Sequence, residues 1–204
     1  GSTAWVTLQE NNAIASIDIA SATVNAIFAL GGKDHNLEGT GFDPTKDDEA
    51  ALIGTWPVMG LYQPDAIASF EIGGVPYLVT ANEGDAREYD AFVEEVSVGD
   101  IALDETLFPN AAELQDDLQL GDLDTSLRSG GDTDDDGDME VIYSYGARSF
   151  SIWNGLSGDL VYDSGDAFEQ MTAAAFPAHF NASNDENDID DRSDDKGPEP
   201  EAAT

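Results

Sequence analysis

The 204-residue sequence contains no cysteine, which excludes disulfides and thiolate zinc sites. Basic residues are scarce: 7 Lys and Arg stand against 43 Asp and Glu, for a formal net charge of -36. Binding to a nucleic-acid backbone or an anionic lipid surface needs Lys and Arg to displace counterions, so no nucleic-acid partner is expected. No apolar run approaches the ~18 residues of a spanning helix, so membrane insertion is not expected either. A signal peptide is missing too, but Gly1-Ser2 reads as a remnant of cloning, which leaves the export of the parent protein open. GxSxG, HExxH, Walker and dinucleotide fingerprints do not occur.

What the chain has in excess is carboxylate, on a background of 41% hydrophobic residues that suffices for a core. Such acidity fits cation binding, or a saline habitat in which carboxylates keep a protein soluble. Its most ordered expression is Asp132-Thr133-Asp134-Asp135-Asp136-Gly137-Asp138-Met139-Glu140, which runs into the apolar stretch Val141 to Tyr145. Carboxylates at alternate positions followed by a turn-forming Gly point several hard oxygens at one Ca²⁺. A helical EF-hand would need a bidentate Glu at the twelfth position, and counting from Asp132 that residue is Tyr143. A calcium loop in a β-protein is therefore expected, with Asp132, Asp134, Asp136, Asp138 and Glu140 as ligands. A solvated acidic turn is the blander reading.

The rest of the chain is mainly β. Ala4–Leu8, Ala13–Ile19 and Thr23–Leu30 are short β-rich runs with tight connections, which make a meander. Residues 33–60 lack periodicity and carry Gly and Pro, and read as a long structured loop. Gln63–Ile72 and Tyr77–Thr80 flank Gly73-Gly74, a hairpin signal. A long acidic insertion follows, in which Asn110-Ala111-Ala112-Glu113 resembles a capping box for a helix that Gly121 closes. Strands resume at Val141–Tyr145, Ser149–Trp153 and Leu160–Tyr162. Asp166-Ala167-Phe168-Glu169 starts a second short helix that stops by Pro177. Trp5, Trp56 and Trp153 read as packing residues.

Trp5–Glu10 lines up with Leu78–Glu83, Ser16-Ile17 with Ser151-Ile152, and, more weakly, Pro64-Asp65-Ala66 with Pro200-Glu201-Ala202. The repeated unit is a four-stranded meander, and radial repetition of such units makes a β-propeller. On this expectation residues 1–2 are the cloning remnant and 3–204 a single propeller fragment. Residues 3–32 form an incomplete blade and 63–165 a second blade with an insertion at 84–140. Residues 166–204 are a helix and acidic loop leading to the next blade. Closure takes about 4 to 8 blades, so the remaining blades, or another chain at the open sheet edge, are the expected partners.

Trp5–Gly31 resembles a YVTN-type blade. Thr7–Ala13, Lys33-Asp34-His35, Gln63–Ala68, Thr80–Arg87, Gly146–Trp153 and Ser193–Glu201 resemble the choice-of-anchor I family over nearly the whole chain. The resemblance implies a secreted or surface-anchored bacterial propeller, extracellular or cell-surface with the periplasm included. Some relatives carry an alkaline phosphatase label, and the family implies no common activity.

Two further groups of residues invite chemistry. Asp65, Glu83, Asp85, Arg87, Arg148 and Glu201 fall at strand ends that the repeat would gather on one face, where carboxylates hold metal and Arg87 or Arg148 clamps an anion. Ordinary ion pairing is the competing account. Asp185, Asp188, Asp190, Asp194 and Asp195, with the Asn184 and Asn187 amides, offer a second cation site, against a disordered charged tail. Arg192 and Lys196 would be local ion partners there. His35 beside Asp34 is a weak candidate ligand or base. The leading expectation is a calcium-binding extracellular propeller segment with a structural or binding role. The alternative is a metal-dependent phosphoesterase.

Overall fold

The computed structural model describes residues 1–184 and 187–204; Asp185, one of the expected second-site ligands, lies outside them. The chain opens with β1 (Thr3–Leu8), β2 (Ala13–Asp18) and β3 (Thr23–Ala29), an antiparallel meander in the order β1-β2-β3. Then come β4 (Gly32–Asp34) and β5 (Val58–Leu61), and the hairpin β6 (Ala66–Ile72) and β7 (Val75–Asn82). Ile72 pairs with Val75 across Gly73 and Gly74, whose φ angles are 61° and 84°. Two residues in succession at positive φ make the type I′ turn that matches strand twist.

After β7 the chain leaves the sheet for β8 (Glu88–Tyr89), β9 (Phe92–Val93), β10 (Glu95–Ser97), α1 (Ala111–Leu114), β11 (Asp124–Ser126) and β12 (Ile142–Ser144). It returns as β13 (Ser149–Asn154) and β14 (Leu160–Asp163), followed by α2 (Ala167–Ala175). The order β14-β13-β7-β6 is a four-stranded antiparallel meander with the excursion between its second and third strands. A five-stranded sheet, β10-β11-β12-β5-β4, has β12 parallel to β5 and its other pairs antiparallel. The architecture is mainly β, with several open sheets and, among the described residues, two short α-helices.

The repeated segments occupy corresponding strands. Trp5 to Leu8 lies in β1 and Leu78 to Asn82 in β7, each paired antiparallel with the next sheet strand, β2 or β13. Ser16 and Ser151 lie in those partner strands but are two residues out of step: Trp5 faces Ser16, whereas Leu78 faces Trp153. The two sheets bury Ile14, Leu30, Tyr62, Leu78, Ala147 and Trp153 between them, with Trp5, Phe28 and Ile67 at the margin. Each fully buried large side chain of this kind contributes about 1.5–3 kcal/mol. Trp153 stands edge-on to Tyr62 at 4.9 Å and donates to Thr80 Oγ1 at 2.9 Å.

A second core joins Val98, Leu103, Phe108, Leu114, Leu120, Leu123, Met139 and Ile142 of the excursion to Phe42 and Val58 from the stretch before β6, with Trp56 packed on it. Several sequence expectations change here. Residues 33–60 are not only loop: β4 and β5 flank them, and Phe42 bridges Gly54. The stretch 141–145 is a strand, but it joins β5 and β11 rather than the meander. The first helix spans only Ala111–Leu114, because the following turns through Asp116 and Gly121 do not propagate it. Neither Asn110 nor Asp166 caps its helix with a side chain, and Glu169 points inward to Arg148 instead.

Candidate metal centre

The loop 132–140 is held at both ends. Gly131 accepts hydrogen bonds from the Glu140 and Val141 amides at 2.9 and 3.2 Å. Met139, buried in the second core, forms a parallel bridge with Leu103. Local bonds shape the rest: the Gly137 amide donates to Asp132 Oδ2 at 3.1 Å and the Asp138 amide to Asp136 Oδ1 at 3.2 Å. Thr133 donates through its amide and, at 2.7 Å, its hydroxyl to Glu140 Oε2.

Two sets of carboxylate oxygens result, each with its members within 4.8 Å of one another: Asp132, Asp134 and Asp136, and Asp104, Asp138 and Glu140. Oxygens on opposite sides of a Ca²⁺ lie about twice 2.4 Å apart, so this spacing suits a cation of that size. Asp132 Oδ1, Asp138 Oδ1 and Glu140 Oε1 are shielded from solvent and accept no hydrogen bond. Burial, with Asp136 and Asp104 beside it, pushes Asp138 up to about 6. Asp136 is also the main cause of the raised Asp134 value, whereas the Thr133 hydroxyl bond holds Glu140 low.

Asp104 is the member the sequence did not single out. It comes from a separate segment, brought in by the Leu103–Met139 bridge and by the Asp104 amide donating to Met139 O at 3.0 Å. Only a pairing between segments some 35 positions apart reveals it. No spacing rule reaches that far.

The residues expected on one ligand face separate. Asp85 and Arg87 line a cleft of about 210 Å³ with Glu95, Tyr145, Arg192 and Lys196. Arg87 grips Glu94 through two nitrogens at 2.7 and 2.9 Å, and Glu83 pairs with Lys196 at 3.0 Å and with Gln9 at 3.1 Å. Asp65 and Glu201 are exposed and stand away from that cleft. Arg148 is buried, donating to Glu169, Asp43 O, Ser193 O and Asp195 O at 2.7 to 3.1 Å and lying over the Phe42 ring. It therefore organises the interior and is not an exposed anion clamp. The cleft cations Arg87, Arg192 and Lys196 all have carboxylate partners.

The acidic segment near the end is folded against the body. Ser193 is buried, Asp194 pairs with Lys46 at 2.6 Å, and Arg192 pairs with Asp195 at 2.7 Å and with Glu199. Asp188 is exposed, Asp190 joins Asp43 and Asp48, and Asp195 joins Glu95 and Asp124, so these residues do not form one cluster. His35 is also interior: it donates from Nδ1 to Thr40 O at 2.5 Å, packs edge-on to Phe42, and burial pushes it down to about 3. Asp34 instead accepts the Asn36 amide at 2.9 Å.

A family model described as the choice-of-anchor I domain matches residues 1–204. Gigasin-3a of Magallana gigas is 37% identical over 94 residues, 44% of this chain and 32% of that protein. A mesenchyme-specific cell surface glycoprotein of Strongylocentrotus purpuratus is 30% identical over 180 residues, 76% of this chain and 23% of that protein. The chain thus spans at most about a third of the length of either relative. No solved structure matches it.

Proposed function

The chain belongs to the choice-of-anchor I domain family, and we propose that it is a calcium-stabilised β-propeller segment of an extracellular or cell-surface protein, with a structural and binding role. The observation that carries the calcium reading is the pair of carboxylate sets at 132–140, with three shielded oxygens that accept nothing from the protein. Asp132, Asp134 and Asp136 in one set, and Asp104, Asp138 and Glu140 in the other, would hold Ca²⁺, whose charge would offset the repulsion within each set.

Support for the propeller is the four-stranded meander stacked on a three-stranded one with matching strand order. Support for the location is the family and the cell-surface relative. The loop lies near the end of the excursion, where Met139 bridges Leu103, so the ion would fasten the loop to the segment around Asp104. No helix among the described residues is long and apolar enough to cross a membrane.

An ion bound only by the folded state adds about 2.7 kcal/mol at a hundredfold excess over Kd. For a chain of this size each kcal/mol shifts the melting midpoint by roughly 2–4 °C. Thermal melts in chelator and in Ca²⁺ should differ accordingly, and Asp134→Asn with Asp136→Asn should remove much of that difference. Coincident melts of the unaltered protein in the two conditions would reject calcium stabilisation.

A further inference from the structure

Away from the 132–140 loop, one oxygen each of Asp43, Asp48 and Asp190 lie within 4.8 Å of one another. Asp43 and Asp190 are fully buried, and Asp48 is half-buried at the rim. Two buried carboxylates in such proximity require either shared protons or a cation.

The surrounding bonds account for only part of this group. Asp43 accepts the Leu52 amide at 2.5 Å and the Thr45 amide at 3.5 Å. Asp48 Oδ1 accepts the Ala50 amide at 2.8 Å. Asp190 Oδ1 accepts from the Ser193 hydroxyl, while Asp190 Oδ2, equally cut off from solvent, accepts from nothing. Among the described residues no Lys, Arg or His side chain pairs with any of the three. Lys46, the nearest base in sequence, reaches Asp194 instead, and the Arg148 guanidinium is taken by Glu169 and three backbone carbonyls.

We propose that Asp43, Asp48 and Asp190 form a second site for a hard divalent cation, joining the loop after β4 to the acidic segment near the end. All three supply carboxylate oxygen, which selects Ca²⁺, Mg²⁺ or Mn²⁺ over softer metals. The site crosses nearly 150 positions of sequence and parallels the Lys46–Asp194 ion pair, which links the same two segments. It shares no residue with the 132–140 loop, so the two can be tested separately.

The test is equilibrium dialysis of chelator-stripped protein against Ca²⁺ in excess NaCl, which suppresses loose counterions, with bound metal counted. An Asp134→Asn, Asp138→Asn variant, which breaks both carboxylate sets of the loop, should retain one tightly held Ca²⁺, and adding Asp190→Asn should remove it. Asp48→Asn, at the rim, should weaken that ion about tenfold through the lost ligand charge. If Asp190→Asn does not fold, Asp48→Asn alone decides. Unchanged Ca²⁺ count and affinity in the folded variants would overturn the site, and a gain in chelator stability with no ion lost would assign the cluster to proton sharing.

Discussion

At the scale of single residues, the burial of carboxylates sets how stability responds to pH. Burial pushes Asp43 and Asp190 up to about 7 and Asp124 up to about 8, and Asp138 stands at about 6. A carboxyl that holds its proton more tightly when folded contributes stability that is complete below its unfolded value, about 4, and is lost as pH rises through the folded value. His35 acts in the opposite sense. The unfolded chain protonates it near 6.5 while the folded chain refuses the proton down to about 3, so its contribution fades as pH falls across that interval. The lowered carboxyls Asp18, Glu94, Asp104 and Glu140 act only below about pH 4. In chelator the melting midpoint is therefore expected to climb as pH drops from about 8 to 5, and Ca²⁺ should flatten that slope by replacing the protons. Melts across this range check it, and a midpoint that falls on acidification in chelator contradicts it. Residue type also decided what could be read beforehand: alternating Asp residues announce a loop site, whereas Asp104, Asp43 and Asp48 look like any other acidic residue until the fold assembles them.

At the scale of elements, tight turns and close crossings make different demands on glycine. Gly73 has φ 61° with open space around it, and Asn is well tolerated in a type I′ turn. Gly146 has φ 72°, and a Cβ there would stand 2.0 Å from Glu83 O. Gly73→Asn should leave the unfolding free energy within about 0.5 kcal/mol of the parent. Gly146→Asn should cost several times that, since backbone overlap adds to about 1–3 kcal/mol of strain. Urea titrations of the two variants compare them directly, and equal midpoints would remove the crossing argument. The same contrast explains which elements were legible. Alternation and the Gly-Gly turn mark β1 to β3 and the β6–β7 hairpin because those pairings are local. Strands β4, β5 and β10 to β12 are three or four residues long and pair across long intervening segments, so no local period marks them. Glu169 sits where a capping Glu would, yet it is drawn inward by a buried Arg148 that only tertiary structure supplies.

At the scale of the molecule, a net charge of -36 concentrates on a chain with two cores and open sheet edges. Exposed apolar residues on β3 and β14, among them Val24, Ile27, Val161 and Tyr162, mark where neighbouring blades would stack in the proposed propeller. Self-repulsion of the carboxylates opposes compaction, and cations placed between segments distant in sequence would relieve it where it is most acute. On the proposed function, the loop at 132–140, with Asp104, holds a cation. Anomalous difference density from crystals grown with Mn²⁺ or Ca²⁺ tests it most directly. A peak ringed by Asp132, Asp134, Asp136, Asp138, Glu140 or Asp104 is predicted, and a loop without density in protein saturated with the metal would contradict it.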